Sequence, residues 1–147
     1  MNIYHGEITE EIRELLLEAD PSKDSLATYF DSSIKFVLEE NASVIGICVL
    51  IIMDRMAEIK NISIGKGYQN RGMGSKLLQD VFTYCKDNNI LEIFVGTGNS
   101  SLGQLAFYQK NGFRITGVHE NYFINYPDPI YENGIQCLDL IILKKSL

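Results

Sequence analysis

Gln69-Asn70-Arg71-Gly72-Met73-Gly74 joins a predicted strand to a predicted helix. The run before it, 57–64, is rich in apolar residues, and the run after it, 75–82, has the spacing of an amphipathic helix. A glycine-bearing turn at this point leaves backbone N–H groups free at the start of the helix. Those donors and the helix dipole predict an anion site, most often a phosphate site.

Two common nucleotide motifs do not fit this turn. A Walker A loop has the spacing from Gly67 to Gly72, but Met73 stands where that motif needs lysine. The dinucleotide pattern G-x-G-x-x-G begins at Gly65 and lacks its last glycine, since Asn70 stands there. A glycine-rich turn without a ligand remains an alternative.

The composition predicts one globular domain over residues 1–147. Hydrophobic residues make up 46% of the chain and charged residues 22%, and no repeat or linker interrupts it. The net charge of −6 argues against nucleic acid or an anionic membrane as partner. It suits a cationic substrate, although an acidic surface also serves solubility.

The cysteine pattern predicts a cytoplasmic protein. Cys48, Cys85 and Cys137 are odd in number and widely spaced, which favours reduced thiols over a disulfide framework or a zinc site. The first residues lack the pattern of a signal peptide, and no apolar run is long enough to cross a bilayer.

Apolar periodicity predicts alternating helices and strands. The predicted helices are Ile8 to Ala19, Ser22 to Phe30, Gly74 to Lys86 and Leu102 to Lys110. The predicted strands are Ile34 to Glu39, Val44 to Met53, Ala57 to Ile64, Leu91 to Val95, Phe113 to Val118 and Cys137 to Lys144. Ser101 and Gln104 form a capping-box pattern, and Asn111-Gly112 ends the last helix. This order indicates a mixed sheet with helices packed on it.

Two motifs together resemble one family. Gln69-Asn70-Arg71-Gly72-Met73-Gly74 resembles the acetyl-CoA pyrophosphate loop of the GNAT (Gcn5-related) N-acetyltransferase superfamily, whose pattern is Q/R-x-x-G-x-G/A. Tyr108-Gln109-Lys110-Asn111-Gly112-Phe113 is similar to that family's Y-x-K-x-G-F. The resemblance implies an α/β (α+β) fold with a mixed, mostly antiparallel sheet of six to seven strands, about four flanking helices and a splay between the two central strands. A homodimer is also expected from it.

The resemblance implies acetyl-CoA as cosubstrate. The residues that would hold the pyrophosphate are those of the loop and the helix start: Gln69, Asn70, Arg71, Gly72, Met73, Gly74 and Ser75. A backbone N–H within Ile62, Ser63 and Ile64 would bind the thioester oxygen, and Arg71 is either a phosphate contact or a solvated cation. Where the family often has a cofactor-contacting asparagine this chain has Ser101, so Asn99 and Ser101 are both candidates, although a helix cap is the preferred interpretation of Ser101.

The implied reaction is direct acetyl transfer to a primary amine in a ternary complex. Tyr108 is the candidate general acid for the leaving thiolate, with a core aromatic as the alternative. Glu58, eleven residues before Gln69, is the candidate general base; it could instead pair with Lys60, face solvent, or be replaced by a water chain.

The acceptor is predicted to be a small-molecule or peptide amine. The resemblance implies an acceptor groove formed by the first helices and the loop between the last two strands. Tyr29, Tyr122 and Glu132 are its candidate residues, since aromatic rings and carboxylates suit a cationic amine, and a packed, solvated loop is the alternative. No metal site is expected, because His5 and His119 are few and distant and the chemistry needs none. A CoA-binding regulatory module without catalysis and an acidic interaction domain without a small ligand are the alternatives.

Overall fold

The structure, a computed structural model, describes residues 2–4, 9–19, 29 and 32–147. Its residues form two compact units, Met1–Leu91 with Leu147 and Glu92–Ser146. No helix of the described residues is long and apolar enough to cross a membrane. That the chain acts as a single domain stays a prediction.

The first unit is an antiparallel sheet with helices. Its strands are β1 (Asn2–Tyr4), β2 (Ile34–Glu40), β3 (Ser43–Met53) and β4 (Met56–Ile64), paired in chain order. Its helices are α1 (Glu10–Ala19) and α2 (Met73–Asp87), and a 3-10 helix spans Lys66–Tyr68. Asn41 and Ala42 join β2 to β3 with φ angles of 51° and 65°, which is the geometry of a two-residue hairpin turn.

The core of this unit lies on both faces of β3. Ile47 and Val49 belong to the cluster that packs on α1, together with Ile12, Leu15, Leu16, Tyr29 and Val37. Helix α2 packs on β2, β3 and β4, and it buries Leu77, Leu78, Val81, Phe82 and Cys85. Burying a side chain of this size stabilises the folded state by about 1.5–3 kcal/mol. The two helices together therefore hold β4 in place.

The second unit is built around its last strand. It contains β5 (Glu92–Gly98), α3 (Leu102–Lys110), β6 (Arg114–His119), β7 (Tyr131–Glu132), β8 (Ile135–Gln136) and β9 (Leu140–Ser146). Strand β9 pairs antiparallel with β5 on one side and with β6 on the other. Strands β7 and β8 form a separate hairpin, whose turn residues Asn133 and Gly134 have φ angles of 55° and 75°.

The predicted fold class is confirmed: the described residues are mixed α/β, with a mostly antiparallel sheet of seven strands, a separate two-stranded hairpin and three α-helices. Helix α3 has the predicted bounds. The predicted helix Ser22 to Phe30 lies outside the described residues except for Tyr29, as do Ile8 and His5. The splay between the two central strands stays a prediction.

Two predictions were wrong in detail. The last strand begins at Leu140 rather than Cys137, because the backbone N–H groups of residues 137–139 donate to Ile130 O and Asn99 Oδ1 and not to a ladder. Ser101 is the N-cap residue of α3 but makes no capping hydrogen bond, and its hydroxyl donates to Glu132 instead. The β7–β8 hairpin was missed, although Asn133-Gly134 is a strong hairpin signal.

Candidate functional site

The loop between β4 and α2 is held in a defined shape. Gln69 Nε2 donates to Ile64 O at 2.8 Å, which ties the loop back to the end of β4. Asn70 and Gly72 have left-handed φ angles of 61° and 75°. A methyl group at Gly72 would meet no atom within 4 Å, so its conformation, not crowding, is what requires glycine here.

The start of α2 offers free donors. Gly72 is the N-cap residue and provides no side-chain cap, and the first helical bond is Lys76 N to Gly72 O at 3.0 Å. Within the described part of the chain, the backbone N–H groups of residues 72–75 donate to no protein acceptor. Unpaired donors at the positive end of a 15-residue helix form a site for an anion.

The charges around this helix start also favour an anion. The first turn of α2 holds no acidic residue. Arg71 and Lys76 are exposed, and the Arg71 guanidinium lies 5.9 Å from the centre of the Tyr68 ring. The tyrosine face therefore restrains Arg71 beside the loop through a cation–π contact.

Strand β4 carries a bulge next to its polar residues. Its register with β3 shifts by one residue between Ile59 and Asn61, and Lys60 is the extra residue. Across the shift, Glu58, Asn61 and Ser63 oppose Ile51, Val49 and Ile47 on β3. Paired residues point to the same face, and this is the face that packs on α1. The bulge thus places three polar side chains in line on the α1 face.

Glu58 is half-buried, with 23% of its side chain exposed, and its Oε1 lies 3.3 Å from Lys60 Nζ. The structure therefore contains the Glu58–Lys60 ion pair, which was predicted as an alternative to the role of general base. It leaves Oε2 available to a proton donor. Ile62 and Ser63 are buried and Ile64 is half-buried, as expected for a strand within a sheet.

Asn61 is a polar site residue that sequence reasoning missed. It is 4% exposed, and its Nδ2 donates to Leu16 O at 3.0 Å and to Tyr29 Oη at 3.4 Å. Its Oδ1 is buried and has no hydrogen-bond partner. The available signal was an amide residue inside an apolar strand. Tyr29, predicted to face the acceptor, is 5% exposed and lies in the core cluster.

Tyr108 lies on α3 in the second unit and is 4% exposed. Its ring makes an edge contact with Phe113 at a centroid distance of 5.4 Å, and Phe113 N donates to Tyr108 O at 3.0 Å. Tyr108 and Phe113 are the first and last residues of the Y-x-K-x-G-F motif, so the two aromatic ends of this motif pack on each other. This burial fits a core aromatic as well as a shielded proton donor.

The side chains of Asn99 and Ser101 make hydrogen bonds within the loops of the second unit. Asn99 Oδ1 accepts from the N–H groups of Leu138 and Asp139, at 2.8 and 3.0 Å, and its Nδ2 donates to Gln136 O at 3.1 Å. Ser101 Oγ donates to Glu132 Oε1 at 2.9 Å. One Asn99 amide hydrogen remains for any further partner.

Tyr122 belongs to an exposed run of aromatic rings after β6. It makes edge contacts with His119 at 5.1 Å and with Phe123 at 4.9 Å, and Phe123 contacts Tyr126 at 5.5 Å. Tyr122 and Tyr126 are nearly half exposed, at 47% and 48%. These exposed rings can bind an organic cation. Among the described residues, no group of three or more His, Cys, Asp or Glu is arranged to hold a metal.

Comparison with known proteins gives one consistent family. The sequence model of the Acetyltransferase (GNAT) family matches residues 6–113. The chain is 37% identical to a Bacillus subtilis protein named uncharacterized N-acetyltransferase YvbK, over 100% of this chain and 97% of that protein.

Two solved structures are similar over nearly the whole chain. A GNAT family acetyltransferase from Elizabethkingia anophelis with acetyl-CoA bound is 44% identical, with a TM-score of 0.91 over 99% of this chain and 97% of that one. A Bacillus subtilis acetyltransferase in complex with CoA is 36% identical, with a TM-score of 0.93 and the same coverage.

Proposed function

This chain belongs to the acetyltransferase (GNAT) family, and on that premise we propose that it is an N-acetyltransferase that moves the acetyl group of acetyl-CoA to a primary amine. The observation that carries the proposal is the set of unpaired N–H groups at residues 72–75, at the start of α2. The two solved structures to which the chain is similar contain acetyl-CoA and CoA, respectively. In the proposal, residues 69–75 bind the pyrophosphate of the cosubstrate.

The proposed transfer is direct, within a ternary complex. Glu58 takes a proton from the acceptor ammonium, itself or through water, and the neutral amine attacks the thioester carbonyl carbon. A backbone N–H within residues 62–64 stabilises the charge that develops on the carbonyl oxygen. The C–N bond forms, the C–S bond breaks, and Tyr108 donates its phenolic proton to the leaving thiolate.

The position of Glu58 supports its role. It is half-buried on the α1 face of β4, where the family resemblance implies the acceptor amine. The neighbouring Lys60 ammonium lies 3.3 Å from its carboxylate, so this group already pairs with one ammonium ion of the chain. Tyr122 adds an exposed ring, and the net charge of −6 favours a small cationic amine or a peptide amine.

The proposal is tested by binding and by turnover. We expect titration calorimetry to show acetyl-CoA binding at micromolar concentration, weakened by salt because the pyrophosphate site is electrostatic. An acetylation screen over polyamines, aminoglycosides, amino acids and peptides should then identify acceptors. Initial velocities against both substrates should give intersecting lines, as direct transfer requires; parallel lines would indicate an acetylated enzyme and overturn the ternary-complex mechanism.

The same experiments separate the alternatives. Binding of acetyl-CoA without acetylation of any amine in the screen would favour a regulatory CoA-binding module, and no binding at tens of micromolar would remove both acetyl-CoA hypotheses. No observation here favours either alternative. A cytoplasmic location and a homodimer stay predictions, the first supported by three buried free cysteines.

A further inference from the structure

Glu132 forms a clamp within the second unit. Its Oε1 accepts hydrogen bonds from Ser100 Oγ at 3.0 Å and from Ser101 Oγ at 2.9 Å. Ser100 is fully buried, and Ser101 is the N-cap residue of α3. A carboxylate of the β7–β8 hairpin is thus fastened to the positive end of the helix, where the helix dipole stabilises it further.

A second residue of the hairpin strengthens the clamp. Asn133, in the turn directly after Glu132, donates from Nδ2 to Ser100 O at 3.0 Å. Its left-handed φ of 55° belongs to the two-residue turn that orients both side chains toward residues 100–101. Charged and neutral hydrogen bonds therefore hold one rigid hairpin on the segment that leads into α3.

Helix α3 needs such a support because it has little apolar packing of its own. Tyr108 is its only buried residue, and most of its other side chains are exposed. The helix is consequently held at its two ends: by residues 100–101 at the start, and by Tyr108 and Phe113 at the end. Tyr108 lies about 9 Å along the axis from Leu102, so a tilt of the first turn displaces its ring.

We propose that Glu132 is a positioning residue that fixes the start of α3 and thereby the hydroxyl of Tyr108. The inference rests on the proposed function, since it assigns Tyr108 as the proton donor. It differs from the prediction that Glu132 binds the substrate ammonium, and it rests on the two serine hydroxyls that donate to Glu132 Oε1. A misplacement of about 1 Å at a reacting group can lower a rate as much as a hundredfold.

Two substitutions distinguish positioning from substrate binding. Glu132→Ala removes the acceptor of both hydroxyls, and we expect kcat to fall about tenfold or more, with the KM for acetyl-CoA unchanged. Glu132→Gln keeps a side-chain oxygen at the same place but removes the charge. We expect this variant to retain most of kcat, with the KM for the amine within about twofold of wild type.

The chain offers a matched control. Glu40 also stands directly before a two-residue hairpin turn, Asn41-Ala42, but it is exposed and no described residue pairs with its side chain. Glu40→Ala and Glu40→Gln should leave both kinetic constants unchanged. Ser100→Ala removes one donor of the clamp, and the double variant with Glu132→Ala should lose no more activity than Glu132→Ala alone.

Each outcome supports or overturns the positioning role of Glu132. A large rise in the amine KM of Glu132→Gln, with kcat intact, would overturn positioning in favour of ammonium binding. Wild-type kcat in Glu132→Ala would overturn positioning, and a wild-type amine KM in the same variant would overturn both roles. If Glu132→Ala fails to fold, Glu132→Gln and Ser100→Ala carry the test, with circular dichroism and the melting temperature as checks. If wild type acetylates no amine, the proposed function fails first, and this outcome differs from every result above.

Discussion

At the scale of single residues, the buried amide of Asn61 has hydrogen-bond partners for its nitrogen but none for its oxygen. Its Nδ2 has two acceptors, Leu16 O and Tyr29 Oη, while its buried Oδ1 has none. A buried carbonyl without a donor costs about 1–3 kcal/mol. The residue is retained in the core by its donor bond to α1, since Leu16 O lies near the end of that helix and requires a donor.

Asn61→Asp tests this account. The substitution places a carboxylate oxygen against Leu16 O, so it replaces a donor with an acceptor and buries a charge. We expect the free energy of unfolding to fall by at least about 2 kcal/mol, as measured by urea denaturation at pH 7. Ser63→Ala, on the same face of β4, is the control and should change it by less than half as much. Equal stability of Asn61→Asp and wild type would contradict the donor role.

Tyr108→Phe tests the proposed acid at the same scale. Removing the hydroxyl preserves the ring that packs on Phe113, so the fold should persist. We expect kcat to fall by about tenfold to a thousandfold, while acetyl-CoA binds as tightly as before. Tyr84→Phe, on α2 with its ring against Phe36, is the control. An unchanged kcat for Tyr108→Phe would assign the proton donor elsewhere.

At the scale of elements, the loop before α2 combines a left-handed backbone with unused donors. Gly72 takes the left-handed conformation that frees the first turn of α2, and Gln69 ties the loop to β4. The strand before it is bulged at Lys60, which places Glu58 on the α1 face. One strand–loop–helix segment therefore carries both the anion site and the candidate base.

Gly72→Ala should affect stability and cosubstrate binding together. An alanine at a φ of 75° costs about 1–2 kcal/mol, and relief of that strain would turn the N–H groups of residues 72–75. We expect a lower melting temperature and an acetyl-CoA Kd raised at least about fivefold by calorimetry. Gly67→Ala is the matched control, since its added methyl meets no atom within 4 Å and its φ is not left-handed. A Kd that rises equally in both variants would remove the special role of Gly72.

At the scale of the whole molecule, the reactivity of the cysteine thiols measures whether the core is folded. Cys48, Cys85 and Cys137 are free and buried. Burial raises the pKa of Cys85 to about 11, and burial together with the nearby Cys85 raises the pKa of Cys48 further. Thiolates are the reactive form, so the native thiols of Cys48 and Cys85 should be inert at neutral pH.

Thiol titration with a disulfide reagent tests this expectation. In the native protein at pH 8 we expect Cys48 and Cys85 to react at a small fraction of the rate of a free thiol, and all three cysteines to react after unfolding in guanidinium. Because the folded pKa of Cys85 lies above the unfolded value, the free energy of unfolding should decrease as pH rises from about 8.5 toward 11. Rapid labelling of Cys85 in the native protein at pH 8 would contradict its burial.

Local sequence patterns determined the elements and the anion loop of this protein. The capping-box pattern at Ser101 and the stop signal Asn111-Gly112 predicted α3 with its observed bounds, and apolar periodicity predicted β4 to within one residue, because these signals are local in the chain. The glycine turn with its free donors was also predictable, since the conformation of Gly72 and the start of α2 depend on neighbours in the chain.

Only the tertiary structure decided which side chains meet. The bulge at Lys60, the donor bond from Asn61 to α1 and the clamp of Glu132 on Ser100 and Ser101 join residues that are far apart in sequence or depend on strand register. Periodicity within one element holds no information about its partner's register, so the hydrogen bonds that join Ser101 and Glu132 could not be predicted from the sequence. The hydrogen bonds between them exist only because the fold brings the hairpin onto the start of α3.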